Sequence, residues 1–231
     1  MLGINSRTNK NIFISMFIFT AENIGNIKNI VYSNDGMKDK HAEKIEYSKT
    51  KGLLKDFKYS KYFHESFPKN ASMKTYQELM YLKDLPEDKD FAKKYDDIPS
   101  VFEEICKDHG LTYPKDLVNE LMDSSAGIIL ELKWKYNRPR PKQLAKEYGI
   151  NIGGIELESM NTPSYPSGHS TQGILIGKML QTKLPINTDA FLEAGKKISY
   201  SRNVARAHFP SDSRMGEELG TAMYSYLKEK I

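Results

Sequence analysis

The stretch PKDLVNELMDSSAGIILELKWKYNRPRP runs from Pro114 to Pro141 and decides the fold. Leu117, Leu121, Ile128 and Leu132 recur at helical spacing and make one apolar face. Pro139 and Pro141 end the helix, because proline lacks the N–H that the ladder needs and its ring clashes with the preceding turn. Val118, Met122 and Ile129 form a neighbouring row that Lys133 continues toward the interior. Lys133 and Arg140 therefore stand at and just past a helix C-terminus.

Outward from this helix, 3.6-residue patterning dominates and strand-like alternation is nearly absent, which predicts an all-α fold, a compact helical bundle with its active site between helix ends. Residues 38–56 and 73–83 read as polar helices separated by an aromatic loop, Tyr59 to Phe67. A glycine-bearing loop is expected from Lys142 to Pro163. Ser167 is a good N-cap for a helix carrying Ile174, Leu175 and Met179. The free N–H groups of that first turn, with Gly168 allowing close backbone approach, would receive an anion. A further helix should run from Asp189 to Ala205 with Phe191, Ala194 and Ile198 on one face. Arg202 falls on the same face and so demands a partner, either a ligand anion or a core carboxylate. The last helix, Pro210 to Lys228, carries the clearest stripe: Met215, Leu219, Ala222, Met223 and Tyr226.

A chain of 231 residues without a linker or internal repeat supports one principal core. The expected division is an N-terminal segment, residues 1–35, and a single helical domain, residues 36–231. The net charge of +4 comes from abundant lysines spread through the chain, with no basic cluster interleaved with aromatics, so nucleic acid is not the expected partner. Cys106, the lone cysteine, lies in a helical stretch and reads as an apolar filler. No histidine or cysteine set stands at metal-ligand spacing, and no metal site is expected. The longest apolar run, Ile12 to Ala21, is half of what a spanning helix requires, so no transmembrane helix is expected. That run reads as a secretory signal, an amphipathic anchor or a packed segment, which leaves cytoplasmic and exported locations both open. Oligomeric state is not legible.

Three blocks carry the chemistry: Lys133-x6-Arg140-Pro141, then Pro166-Ser167-Gly168-His169, then Ser201-Arg202-x5-His208-x3-Asp212. They resemble the signature of the superfamily uniting type 2 phosphatidic acid phosphatases, class A acid phosphatases and vanadium haloperoxidases. All eleven specified positions match. A tetrapeptide such as Pro-Ser-Gly-His arises by chance on the order of once in 10^5 positions at average residue usage. The resemblance covers Lys133 to Asp212 and is silent on residues 1–110.

The resemblance implies a phosphoric monoester hydrolase, acid phosphatase-like over the helical domain. In it, His208 attacks phosphorus to form a phosphohistidine and Asp212 fixes the tautomer of His208. His169 protonates the leaving oxygen and then activates water. Lys133, Arg140, Arg202, Ser167 and Gly168 would bind the phosphate oxygens. No cofactor is implied. The substrate would be a small phosphorylated molecule, with two alternatives: lipid phosphates reached from an interface, or vanadate held as the cofactor of a haloperoxidase. Arg138 precedes Arg140 in the Arg-Pro-Arg-Pro run; the six-residue spacing from Lys133 selects Arg140 as the ligand, and Arg138 is either a support behind the site or a candidate substrate-facing residue. Arg206, where the family commonly has Gly, is also a candidate substrate-facing residue; if the preceding helix persists, Arg206 shares a face with Arg202. His41, His64 and His109 have no motif around them.

Overall fold

A computed structural model describes residues 21–63, 67–185 and 188–230. The run from Ile12 lies outside them except for Ala21, as does His64. Every regular element among the described residues is helical. In chain order the α-helices are α1 (Ala21–Lys28), α2 (Asp39–Thr50), α3 (Met73–Asp84), α4 (Lys89–Lys94), α5 (Ile98–Asp108), α6 (Lys115–Tyr136), α7 (Pro141–Glu147), α8 (Gly168–Lys183), α9 (Ala190–Val204) and α10 (Pro210–Leu227).

The long helix α6 stops before its prolines. Asn137 takes the left-handed conformation at φ 47°, and its N–H closes on the Lys133 carbonyl. Pro141 does not extend the stop into a loop; it opens α7 from the first helical position, where its fixed φ fits and no N–H is required. The expected loop from Lys142 to Pro163 is thus helical through Glu147 and irregular after it, apart from a short turn at Glu158–Met160. The polar helix expected over 38–56 ends at Thr50.

The main core gathers Val118, Leu121, Ile128 and Leu132 of α6, Leu175 and Met179 of α8, Phe191 and Ile198 of α9, and Met215, Leu219 and Met223 of α10. Complete burial of such a side chain contributes about 1.5–3 kcal/mol. Cys106 is buried in the same cluster. Glycines let the helices that carry the motifs meet backbone to backbone. A Cβ on Gly195 of α9 would sit 2.6 Å from the Gly173 carbonyl of α8, and one on Gly216 of α10 would sit 2.5 Å from the Ser167 carbonyl. A second cluster joins Ile27, Leu79, Leu82, Leu144, Tyr148 and Phe209, so α1, α3 and α7 pack beneath the start of α10. A third, Ala92 with Val204, Ala205 and Ala207, docks α4 against the end of α9.

Candidate active site

His208 lies two residues before α10, and Asp212 occupies the first turn of that helix. The carboxylate is fully buried and doubles as part of the helix cap. Its Oδ2 accepts the Phe209 N–H at 2.9 Å and the Ser164 hydroxyl at 2.5 Å, while Oδ1 accepts from Arg138 Nη1 at 2.5 Å. His208 Nδ1 stands 3.4 Å from Oδ2. On the other side of the ring, Nε2 is 3.0 Å from Arg140 Nη1. A guanidinium only donates, so Nε2 is the acceptor and the neutral ring carries its proton on Nδ1, toward Asp212. Burial, then Arg140, push His208 well below its ordinary value, with Lys133 adding to the effect and Asp212 opposing it. Burial alone would raise the Asp212 carboxyl, but Arg138, His208 and Ser164 outweigh it and hold the group well below the usual carboxylate range.

Lys133 and Arg140 are each only 4% exposed. Apart from the contact of Arg140 with His208, their hydrogen bonds run to neutral oxygens: Lys133 Nζ to the Pro163 carbonyl at 2.6 Å, and Arg140 to the Thr162 and Ala207 carbonyls, each at 2.8 Å. Neither forms an ion pair among the described residues. Burial first, and the charge of Arg140 second, lower the Lys133 ammonium strongly; burial brings Arg140 down to about 10. Two buried cations with no carboxylate against them make a positive field that a bound anion would neutralise.

Ser167 caps α8, its hydroxyl accepting the Ser170 N–H at 3.3 Å. Gly168 follows in the first turn, and a Cβ there would make only ordinary contact with Ile129 and Lys133. His169 is the more open of the two histidines, with 18% of its side chain exposed. Its Nε2 is 3.0 Å from the carbonyl and 3.2 Å from Oδ1 of Asp96. The same Oδ1 takes Arg202 Nη1 at 2.6 Å. The partner that the buried Arg202 requires is therefore a carboxylate of the chain itself, delivered by the loop between α4 and α5. Burial lowers His169 and Arg202, and Asp96 opposes the change in both.

Lys133, Gly168, His169 and His208 share the lining of a cavity of about 290 Å³, with Ser159 and Thr162 on one side and Met122, Ala126, Ile129 and Leu130 of α6 on another. Two larger hollows of about 530 Å³ lie elsewhere and are lined by none of the three motif blocks' site residues.

Two expectations are corrected. Arg138 is not substrate-facing: it is fully buried, sandwiched between the rings of Phe67 and Phe209 at 4.7 and 4.0 Å, and pairs with Asp212 and, at 3.5 Å, Glu78. Arg206 does not share a face with Arg202, because α9 ends at Val204. Arg206 sits in the left-handed region at φ 57°. That conformation gives a backbone reason for a glycine there. The Arg206 side chain is 2% exposed and donates to the carbonyls of Ile152, Val204 and Leu85, away from the cavity. Sequence reading missed Asp96, Ser164 as a partner of Asp212, and Glu78. Only Ser164 carried a signal, its place beside the second block.

The PAP2 superfamily model matches residues 121–228, from within α6 to the end of α10, and this part of the chain belongs to that superfamily. That match supports phosphatase-type hydrolytic activity in general. Among the described residues, no helix is long and apolar enough to cross a membrane.

Proposed function

We propose that the chain hydrolyses phosphate monoesters through a phosphohistidine at His208. The observation that carries this reading is the neutral imidazole presenting Nε2 beside two buried cations that lack a carboxylate. Lys133 and Arg140 would hold the non-bridging oxygens, with the Gly168 N–H and Ser167 hydroxyl completing the cradle. The Nε2 lone pair forms the P–N bond as the ester P–O bond breaks, and His169 gives its proton to the departing oxygen. Asp212 stabilises the imidazolium so formed. Water then attacks phosphorus, His169 takes its proton, and cleavage of P–N returns neutral His208 and inorganic phosphate. The fixed cations supply the field in this scheme, so no metal or cofactor enters it.

Acid quench during turnover of a phosphate-labelled ester tests the reading. Labelled protein is expected from the wild type and none from His208→Ala; an active His208→Ala variant would remove the nucleophile. Rates should survive dialysis against a chelator and fall with vanadate, competitively with substrate. The apolar α6 wall, Met122, Ala126, Ile129 and Leu130, favours a second reading in which the ester carries an acyl chain. A panel of aryl, sugar and detergent-dispersed lipid phosphates decides between the two.

A further inference from the structure

We infer that Asp96 is the positioning residue of His169: it pins the proton on Nε2, so that Nδ1 is the nitrogen that exchanges a proton with the substrate. The inference rests on the reading of His169 as proton donor. Both groups that Nε2 meets, the Asp96 carbonyl at 3.0 Å and the Asp96 carboxylate at 3.2 Å, are acceptors. A ring nitrogen between two acceptors holds its hydrogen. The neutral ring then has its lone pair on Nδ1, and the cation has its transferable proton there.

The carboxylate is itself held in place. Oδ1 is fixed by Arg202 at 2.6 Å and by the Ser159 hydroxyl at 3.2 Å. The loop bearing it is fastened on both sides: Ala92 is buried against Val204 and Ala207, and Asp97 caps α5 by accepting the Ser100 N–H at 3.5 Å while its other oxygen accepts the Ser100 hydroxyl at 2.6 Å. The arrangement mirrors the other half of the site. Asp212 on Nδ1 of His208 leaves Nε2 for phosphorus; Asp96 on Nε2 of His169 leaves Nδ1 for the leaving oxygen.

Removal of the negative charge would let burial drive His169 further down, so that the cationic acid disappears at lower pH. The charged groups around this ring are Asp96 from the α4–α5 loop and Arg202 from α9. Lys133 and His208 share its cavity, as do Lys44 and Asp123.

Long-range proton–nitrogen spectra of the full wild-type chain, with His169→Gln to assign the ring, read the tautomer directly and need no perturbed fold. Nε2–H in the neutral form is expected; Nδ1–H overturns the inference. Asp96→Asn gives the kinetic arm. Alkyl phosphates, whose leaving oxygen needs a proton, should lose about 10-fold or more in kcat/KM, aryl phosphates with acidic leaving groups only a few-fold, and the alkaline limb should move to lower pH. Asp96→Glu should restore part of the alkyl rate. Equal losses on both esters with an unmoved limb would reduce Asp96 to a support for Arg202. If His169→Gln hydrolyses alkyl phosphates at the wild-type rate, the proton-donor reading falls and takes the inference with it. A His169-dependent rate with a limb insensitive to Asp96 removes Asp96 alone.

Discussion

The two imidazoles face one cavity but are held by different kinds of structure. His208 meets a carboxylate four residues along the chain, in the first turn of the helix that follows it, and that carboxylate is completely buried. His169 meets a carboxylate 73 residues away, on a loop that tertiary packing brings in and that remains 28% exposed. The first pair is local in sequence; the second depends on the packing of α4 against α9. The difference separates what each side can lose. Damage near His208 removes charge compensation from the interior, whereas damage near Asp96 changes proton traffic at a solvated edge.

The largest expected effect sharpens this contrast. His208→Ala should lower kcat by roughly 10^4-fold or more, as loss of a nucleophile does. His169→Ala should cost on the order of 10^2 to 10^4, the span of general acid catalysis, and far less on an aryl ester that leaves unaided. Parallel kcat measurements on both ester types give the ratio; equal losses on aryl and alkyl esters in His169→Ala would break the assignment.

Asp212→Asn comes next. The rate should fall roughly 10^3-fold, because an amide stabilises no imidazolium. Stability should fall by about 3 kcal/mol in urea titration, because Arg138 loses its closest carboxylate in the core and retains only Glu78. A folded-state stability within ~0.5 kcal/mol of wild type would show that Arg138 is compensated without it.

The third prediction concerns pH. His169 is lowered from 6.5, so its cationic acid form is lost at lower pH and kcat/KM, which reports the free enzyme, should already be declining before pH 6.5 is reached for substrates that need a proton, while the lowering of His208 keeps that nucleophile neutral. Stability should move in the opposite sense. A histidine kept neutral in the fold protonates more readily unfolded, so stability is full above pH 6.5 and falls below it. The depressed Asp96 and Asp212 carboxyls contribute above their unfolded value near 3.8 and lose that contribution as pH falls further. Urea midpoints from pH 8 to pH 3 check the sign, and inorganic phosphate should blunt the loss by binding the folded site.

Arg206→Gly should do least. Three hydrogen bonds to carbonyls are lost, while a left-handed backbone position is relieved, so the net change should be about 1 kcal/mol. Simple aryl phosphates and polyanionic substrates should change by the same small factor in kcat/KM. A selective loss on polyanions would mean that the guanidinium leaves its carbonyl partners and reaches the cavity.

What could be read from the sequence follows the same division between near and far. Helices α6, α8, α9 and α10 were legible because their burial repeats every three to four residues, and the three blocks lie on their ends. Helix α7 was missed because Pro141 terminates one pattern and starts another, and seven residues carry too little periodicity to register. Arg138 and Arg140 differ by two places in an irregular segment; the six-residue spacing from Lys133 singled out Arg140, but nothing in the sequence said that Arg138 goes under Asp212. Arg202 was seen to need an anion, but Asp96 has no motif about it; only the docking of Ala92 on Val204 tells it from the carboxylates nearby. The shared face of Arg206 and Arg202 depended on the helix persisting to Arg206, and nothing in the sequence showed that it ends at Val204.

The glycines at the helix crossings have an evolutionary consequence. Gly195 rests on the Gly173 backbone and Gly216 on that of Ser167, so the relative placement of the motif blocks is set by main-chain contact and not by the fit of large side chains. The surrounding Leu, Ile and Met residues are then free to exchange for one another over a lineage, since volume-conserving swaps in a core are tolerated. A single methyl at either glycine has nowhere to go. The sites most resistant to drift should therefore include positions that never touch a substrate, and the span of the pocket should be inherited more faithfully than the core that surrounds it.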